Sequence, residues 1–422
     1  MNRTTDISIK KLITKGQYTL YSALIEKFTF FVFFVYLARK TSVANYGTVV
    51  AVFAFANILS YFFEFGFAPY FQREASTENG KLNEEIRTAL SFKLFSLPFF
   101  LLAIVFYFSF SHSDDLIIFF IIGITVLLLT TNSIFTRILY GRNLYSSSFV
   151  ALFSSRIFII FFTILLFFFF SELKIVLIAL LSGSILQGYF LLTYLKLLNI
   201  KVNIGKINRK VLKKIMSSSL PIGIGISFVF IYDRVDVLLI EKIISPEAVA
   251  FYAVAYSIYK LPQLLSSVFL TPLFSDFSII FQNRNRFSLK LLIKPGVVLV
   301  LISFLMIAGI NLTSEFLLKV IYGSRYINSA WILNMLCFAL PGLFLNGLTG
   351  NTLNSLRKEK TVMYSGFFAM IINIFINLIL LKRIGVEGAI IATIITEYAN
   401  FFIQFFILVK LKMFLVKQLA AN

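Results

Sequence analysis

Long apolar stretches, separated by short polar segments, run through the whole chain. A helix needs about 20 apolar residues to cross the hydrocarbon core of a bilayer. We count twelve such stretches, at 17–38, 46–70, 88–110, 115–137, 146–170, 174–195, 216–240, 248–274, 293–313, 329–353, 361–381 and 387–409. The pattern therefore predicts an all-α integral membrane protein with twelve transmembrane helices.

The most basic connection of the chain follows the sixth span and divides the sequence nearly in half. We therefore predict an N-terminal six-helix lobe at 1–196, a basic cytoplasmic linker at 197–214 and a C-terminal six-helix lobe at 215–422. A weak similarity between the segments that begin at Tyr46 and Tyr252 favours a repeat of one lobe in the other. Such repeats are typical of carriers whose halves move against each other around a site near the membrane midplane.

Lys and Arg are distributed unequally between the two sides of the predicted membrane. With a cytoplasmic N-terminus, that side carries 27 of the 39 Lys and Arg and the other side 8, when Lys93 is counted at the cytoplasmic edge. Because such an excess marks cytoplasmic connections, both termini are predicted to be cytoplasmic. The net charge of +20 is then explained by contacts with anionic lipid headgroups, and nucleic acid is not predicted as a partner.

Residue counts exclude several kinds of site. The chain has one cysteine, Cys337, and one histidine, His112. A disulfide framework within the chain, a thiolate metal cluster and a histidine-based catalytic or metal site are therefore excluded. We predict no cofactor, no metal site and no catalytic residues.

The remaining four cations lie inside apolar spans: Lys27, Arg156, Arg234 and Lys260. A cation in hydrocarbon is costly, so such residues face a bundle interior or a water-filled cavity and mark functional sites. At about 1.5 Å per helical residue, three of them lie near the membrane midplane and Arg234 lies closer to the periplasmic side. These four residues are predicted to bind an anionic substrate.

Five acidic residues also lie within the predicted spans, namely Glu26, Glu64, Asp233, Asp236 and Glu397. One interpretation is structural pairing, of Glu26 or Glu397 with a lysine and of Asp233 or Asp236 with Arg234. The other is that desolvation keeps some of them neutral, so that they take up protons during transport. Glu26 and Glu397 lie in mid-span and suit proton coupling best, whereas Glu64 is expected near the cytoplasmic end of its span, in contact with solvent.

Several distinctive short sequences are spread over essentially the whole chain. They are Asn45-Tyr46-Gly47, Phe63-Glu64-Phe65-Gly66-Phe67, Arg73-Glu74, Asp233-Arg234-Val235-Asp236, Leu270-Thr271-Pro272-Leu273-Phe274, Asn373-Ile374-Phe375-Ile376-Asn377 and Gly385-Val386-Glu387-Gly388-Ala389. Each pattern is degenerate, but their order and spacing together are specific. Together they resemble polysaccharide flippases of the multidrug/oligosaccharidyl-lipid/polysaccharide exporter superfamily.

The resemblance implies two six-helix lobes that form a V-shaped central cleft. It also implies export of a lipid-linked oligosaccharide by alternating access across the bacterial inner membrane. An O-antigen repeat unit on undecaprenyl pyrophosphate is an example of such a substrate, and it links the protein to lipopolysaccharide biosynthesis. Membrane lipids and the polysaccharide polymerase machinery are the implied partners.

Two alternatives remain open at this point. An ion-coupled multidrug or small-molecule exporter of the same superfamily is compatible with the intramembrane acids, although cations at the midplane disfavour cationic drugs. A membrane enzyme, such as a polymerase, ligase or glycosyltransferase, is disfavoured because the sequence has no large periplasmic loop, no Asp-x-Asp in an aqueous segment and no nucleotide-binding glycine loop. We therefore predict a carrier and not an enzyme.

Overall fold

The computed structural model describes residues 9–77, 81–170, 172–266 and 288–421, together with the isolated residues 269, 270, 273 and 277, and it describes side chains from residue 16 to residue 411. No strand occurs among these residues, which confirms the predicted all-α fold. The helices are α1 Ile9–Lys40, α2 Val43–Phe62, α3 Phe67–Ser76, α4 Leu82–Phe108, α5 Leu116–Gly141, α6 Tyr145–Phe169, α7 Leu173–Leu197, α8 Arg209–Ile243, α9 Pro246–Tyr259, α10 Lys290–Ile321, α11 Ala330–Leu336, α12 Leu340–Ser355, α13 Glu359–Ile384 and α14 Val386–Ala421.

Within the described residues, eleven helical segments are long and apolar enough to cross a membrane. They are α1, α2, α4 to α8, α10, α13, α14 and the continuous stretch Ser324–Ser355, which combines α11, α12 and two short 3-10 segments. The remaining predicted span, 248–274, begins as α9, and part of it lies outside the described residues. The chain is therefore a multi-pass membrane protein, as its apolar pattern predicts.

Backbone contacts group the chain into two compact units. The first unit comprises Met1–Asn45 and Val52–Ser227, and the second comprises Tyr46–Ala51 and Phe228–Asn422. The boundary at Ser227 lies inside α8, because this long helix continues past the basic connection. The division at 197–214 and the V-shaped cleft stay predictions.

The short helix α3 lies in the core of the first unit. Its residues Phe67 and Phe71 are fully buried and belong to a cluster that includes Ile86 of α4, Ile138 of α5 and Leu191 of α7. Burial of large aromatic side chains contributes strongly to helix packing. This helix is therefore an interior element of the unit.

The predicted span 46–70 is not one helix, and this part of the prediction is wrong. The first helix, α2, ends at Phe62, and α3 begins at Phe67 after a turn in which Gly66 has φ +72°. A Cβ atom on Gly66 would lie 2.1 Å from the carbonyl oxygen of Ser219 on α8. The turn therefore requires a glycine at position 66, because the residue has a left-handed conformation and its backbone contacts the backbone of α8 directly.

The basic connection before α8 is docked along α4 within the first unit. Backbone and side-chain donors of the connection and of the beginning of α8 reach acceptors on the first half of α4. The contacts are Lys201 N to Asn83 Oδ1 at 3.0 Å, Gly205 N to Ser91 Oγ at 2.9 Å, Asn208 Nδ2 to Glu84 Oε1 at 2.9 Å and Lys214 Nζ to Glu85 Oε1 at 2.8 Å. The connection is thus an ordered part of the unit and continues directly into α8.

Candidate substrate site and its charged clusters

In the first unit, Arg156 of α6 pairs with Glu26 of α1. Its Nη2 atom lies 3.1 Å from Glu26 Oε1, and the Arg156 side chain is 1% exposed whereas that of Glu26 is 47% exposed. The guanidinium also lies 5.5 Å from the ring centre of Phe30. The expected pairing of Glu26 with a lysine is therefore wrong, because the cation that reaches it is an arginine.

Lys27 follows Glu26 directly on α1 but has a different environment. Its side chain is exposed, and none of the described ion pairs includes it. Of the two predicted substrate-binding cations of the first unit, Lys27 is therefore open and Arg156 is enclosed.

Lys93 of α4 is a buried cation that the sequence analysis missed, because it was assigned to a membrane edge. It is 6% exposed, and its Nζ donates to Thr130 Oγ1 on α5 at 3.4 Å. The carboxylate of Glu64 is the opposite charge that interacts with it. The signal was present in the sequence, since Lys93 lies inside the predicted span 88–110.

Glu64 is buried and not in contact with solvent, contrary to our expectation. It is 2% exposed, and its Oε1 accepts a hydrogen bond of 2.6 Å from the backbone N–H of Ala68. A carboxylate at this position satisfies a free N–H in the first turn of α3 and interacts favourably with the helix dipole. This contact and the charge of Lys93 assign a structural role to Glu64.

In the second unit, Asp233 of α8 is shared by two cations. Lys260, directly after α9, places its Nζ 3.0 Å from Asp233 Oδ1, and Arg234 places its Nε 3.2 Å from Asp233 Oδ2. The hydroxyl of Tyr256 donates to Asp233 Oδ1 at 2.9 Å. The predicted pair between Asp233 and Arg234 is confirmed, and Lys260 is its third member.

Glu397 of α14 lies beside the same lysine. Its Oε1 is 4.0 Å from Lys260 Nζ, its side chain is 3% exposed, and its Oε2 accepts from Asn346 Nδ2 at 3.2 Å. The expected pairing of Glu397 with a lysine is confirmed. Lys260 therefore links two acids that come from two different helices.

Asp236 lies one turn beyond Asp233 but has neutral partners instead of Arg234. Its Oδ2 accepts from the Tyr252 hydroxyl at 2.5 Å and from Thr393 Oγ1 at 3.4 Å. Its Oδ1 is buried and has no hydrogen-bond donor among the described residues. The alternative pairing of Asp236 with Arg234 is therefore wrong.

Aromatic rings complete the surroundings of the two cations in the second unit. The ring centre of Tyr256 is 5.1 Å from Lys260 Nζ and 5.9 Å from the guanidinium carbon of Arg234. Tyr259 lies 5.6 Å from the same lysine nitrogen. Rings at these distances stabilise a cation that has lost part of its hydration.

The formal charges of the two clusters differ. Around Glu26, the cations Lys27 and Arg156 leave one positive charge, whereas Arg234 and Lys260 face three acids, Asp233, Asp236 and Glu397. The first cluster is thus able to attract an anion when all its groups are ionised. The second becomes positive only when protons neutralise two of its three acids. No group of three or more potential metal ligands occurs among the described residues.

Two relatives with sequence similarity come from archaea. An uncharacterized membrane protein of Methanocaldococcus jannaschii is 23% identical over 412 residues, which cover 94% of this chain and 97% of that protein. A Haloferax volcanii protein named "Probable low-salt glycan biosynthesis flippase Agl15" is 21% identical over 175 residues, which cover 40% of this chain and 36% of that protein.

Solved structures show the same fold at low sequence identity. The lipid II flippase MurJ in an inward closed conformation has a TM-score of 0.76 and 18% identity, with 97% of this chain and 92% of that chain covered. An inward-facing multidrug resistance transporter of the MATE family, from the MOP superfamily, has a TM-score of 0.71 and 14% identity, with 96% of each chain covered. The first of these solved structures is named a flippase and the second a transporter.

Family membership follows from a match to a family model. The model, described as polysaccharide biosynthesis protein, matches residues 12–278, which is more than half of the chain. Together with the fold, this match confirms the resemblance that the sequence motifs indicate. The chain belongs to the polysaccharide biosynthesis protein family.

Proposed function

We propose that the protein moves an oligosaccharide repeat unit, linked to undecaprenyl pyrophosphate, from the cytoplasmic to the periplasmic leaflet by alternating access. The observation that carries the proposal is the charged cluster of the first unit, where Lys27 and Arg156 outnumber Glu26 inside apolar helices. In a member of this family, an excess cation within the membrane fits a substrate with phosphate groups.

The chemistry of such a substrate explains the arrangement. A sugar head and a pyrophosphate cannot cross hydrocarbon unaided, whereas a polyprenyl tail remains soluble in lipid throughout. The carrier therefore supplies cations for the phosphates in a hydrated environment, with Arg able to bind phosphate oxygens in a bidentate manner and Lys acting as a point charge. In this proposal the protein lies in the bacterial inner membrane with both termini in the cytoplasm. Its product enters O-antigen or a similar glycan through the polymerase machinery.

A strain without this protein tests the proposal. We expect loss of surface polysaccharide and accumulation of single repeat units on undecaprenyl pyrophosphate in the cytoplasmic leaflet, both reversed by the wild-type chain. The measurement is the amount of surface glycan, together with the lipid-linked units accessible from the cytoplasmic side. Unchanged polysaccharide, accompanied by new drug sensitivity, contradicts the proposal and favours the exporter of small molecules.

We further propose that export is coupled to proton uptake by Glu397 or Glu26. Of the five intramembrane acids, Glu64 has a structural partner at a helix terminus, whereas Asp233 and Asp236 are held by several donors. Glu397 is enclosed, accepts a hydrogen bond from Asn346, and lies 4.0 Å from Lys260, the cation described beside it. Such weak compensation at a buried site favours the neutral acid.

Replacement of Glu397 by Gln tests the coupling. We expect transport in proteoliposomes to lose its dependence on the proton gradient, because the amide retains a hydrogen-bonding role but does not take up a proton. The same measurement on Glu26→Gln distinguishes the two acids. Wild-type transport that is unaffected by collapse of the gradient, and by both substitutions, contradicts proton coupling without affecting the proposed substrate.

A further inference from the structure

A polar cavity with a volume of about 400 Å³ lies within the first unit, between the end of α3 and the turn that joins α5 to α6. Ligand sites have volumes of about 300–1,000 Å³, so this cavity has the size for a small sugar or a group of similar bulk. None of the charged residues assigned above to transport is among the described residues that line it. Its polar lining groups belong to Gln72, Arg73, Ser76, Tyr140, Asn143 and Tyr145.

Backbone contacts fix the two walls of this cavity. A Cβ atom on Gly141, the last residue of α5, would lie 2.5 Å from the carbonyl oxygen of Gln72 and 2.8 Å from the Cβ atom of Ala75 on α3. In the turn that follows, Asn143 has φ +62° and its N–H donates to the carbonyl oxygen of Tyr140 at 3.0 Å. Asparagine adopts this left-handed conformation more readily than most residues. The end of α3 and the turn are therefore held at a fixed separation.

Aromatic rings form one side of the cavity and are already ordered. The rings of Tyr140 and Tyr145 stack with their centres 4.7 Å apart and their planes at 17°. The guanidinium carbon of Arg137 lies 5.9 Å from the Tyr140 ring centre, and Arg137 Nη1 donates to Gln72 Oε1 at 2.9 Å. Because side chains that are fixed in advance lose less conformational entropy on binding, such a wall favours affinity for a small ligand.

The charge of the lining favours a neutral ligand. Arg73 is the only charged residue among the described lining residues, and its Nε lies 3.3 Å from Glu74 Oε1. Its guanidinium also lies 5.6 Å from the ring centre of Tyr70. The other polar side chains are amides and hydroxyls, which both donate and accept hydrogen bonds. An anion calls for positive charge or an excess of donors, whereas this mixture suits a ligand with many hydroxyl groups.

A sugar combines these requirements. Its hydroxyl groups donate and accept hydrogen bonds, and the C–H faces of its ring pack on aromatic side chains such as tyrosine, which has an apolar ring and a polar end. The cavity follows the predicted span 115–137 and precedes the span 146–170, which is the cytoplasmic side in the orientation predicted above. In the proposed function, the sugar head of the substrate is on that side before export.

We propose that this cavity binds a sugar residue of the lipid-linked oligosaccharide on the cytoplasmic side, before transport. The inference rests on the proposed function and adds a carbohydrate subsite that is separate from the intramembrane charges. Such a subsite selects among substrates by their sugars. A hydroxyl that is missing or differently oriented leaves an amide or hydroxyl of the cavity without its partner.

The test measures binding of oligosaccharide repeat units to the purified full-length protein in nanodiscs, by ligand-observed NMR. The repeat units are released by partial hydrolysis from the surface polysaccharide of the strain that carries this protein. Ser76→Phe places a ring in the cavity, and we expect it to weaken binding about tenfold or more, because the sugar no longer fits. Thr77→Phe is the matched control and is expected to bind like the wild type. Both residues are exposed and both hydroxyls donate to the carbonyl oxygen three residues earlier, but Thr77 is not among the lining residues.

Two further variants remove one polar group each and keep the surrounding structure. Asn143→Gly removes the amide and retains a residue that tolerates φ +62°. Tyr145→Phe removes the hydroxyl and retains the ring that stacks on Tyr140. Each is expected to weaken binding about threefold to tenfold, as for loss of one neutral hydrogen bond.

Three results overturn the inference. If Ser76→Phe binds the repeat units like the wild type, the sugar lies elsewhere. If inorganic phosphate displaces them from the wild-type protein, the cavity is an anion site. If the wild-type protein does not bind them although the deletion strain loses its surface polysaccharide, the cavity is not a sugar site and the proposed function stands. Unchanged polysaccharide in that strain overturns the proposed function itself and is distinct from all three. Thermal unfolding identifies any variant that fails to fold, and Asn143→Gly and Tyr145→Phe decide the outcome if Ser76→Phe is one of them.

Discussion

Replacement of Lys260 by Met is expected to abolish most transport and to lower the melting temperature of the purified protein. Among the described residues, Lys260 is the only cation that pairs with Glu397 and one of two that pair with Asp233, and Glu397 is 3% exposed. Removal of one partner of a buried ion pair costs about 3–5 kcal/mol, because the remaining charge stays desolvated. We expect a value near the lower end, since Lys260 is 21% exposed. The measurements are thermal unfolding in detergent and surface polysaccharide in the complemented deletion strain.

Controls separate the charge of Lys260 from its packing against Tyr256 and Tyr259. Lys260→Arg keeps the positive charge, and its melting temperature is expected to lie close to that of the wild type. Lys260→Met/Asp233→Asn removes the positive charge together with one acid. This double variant is expected to recover part of the lost melting temperature and part of the lost surface polysaccharide. A Lys260→Met protein that unfolds and transports like the wild type contradicts the role of this lysine between the two acids.

The membrane spans were predictable because the bilayer imposes a simple physical requirement. Every backbone polar group in hydrocarbon needs a partner inside the protein, so each long apolar stretch forms a helix. The eleven spans of the described residues follow from that requirement. The turn between Phe62 and Phe67 does not follow from that requirement, because the sequence there stays apolar. The turn is instead associated with a close contact to Ser219, more than 150 residues later in the chain.

Most members of the charged clusters were predictable, but their partners were predictable only in part, since the pair of Asp233 with Arg234 was expected and the pair of Glu26 with Arg156 was not. The cost of a charge in hydrocarbon marks Arg156, Glu26 and Lys260 as unusual from the sequence alone. Which charges meet depends on helix packing, since Glu26 and Arg156 are 130 residues apart. Lys93 was missed for a related reason: proximity to a predicted span end does not distinguish a lysine that extends to the interface from one that turns inward towards Thr130.

Replacement of Gly66 by Ala is expected to prevent normal accumulation of the protein in the membrane. The residue has φ +72°, and a Cβ atom would lie 2.1 Å from Ser219 O and 2.7 Å from Gly223 N. A left-handed non-glycine residue costs about 1–2 kcal/mol, and forced repacking adds about 1–3 kcal/mol. Because the contact atoms belong to the backbone of α8, no side-chain rotation relieves the overlap. The measurements are the amount of protein in isolated membranes and its melting temperature after purification.

Gly366→Ala is the matched control for this substitution. Gly366 lies within α13, and a Cβ atom there meets nothing within 4 Å. Alanine favours an interior helical position by about 1 kcal/mol over glycine, so this variant is expected to accumulate at least as well as the wild type. Gly223→Ala should reproduce the loss from the other side of the contact, since its Cβ would lie 2.5 Å from Gly66 N. Normal accumulation of both Gly66→Ala and Gly223→Ala would show that α8 does not pack backbone to backbone against the turn between α2 and α3.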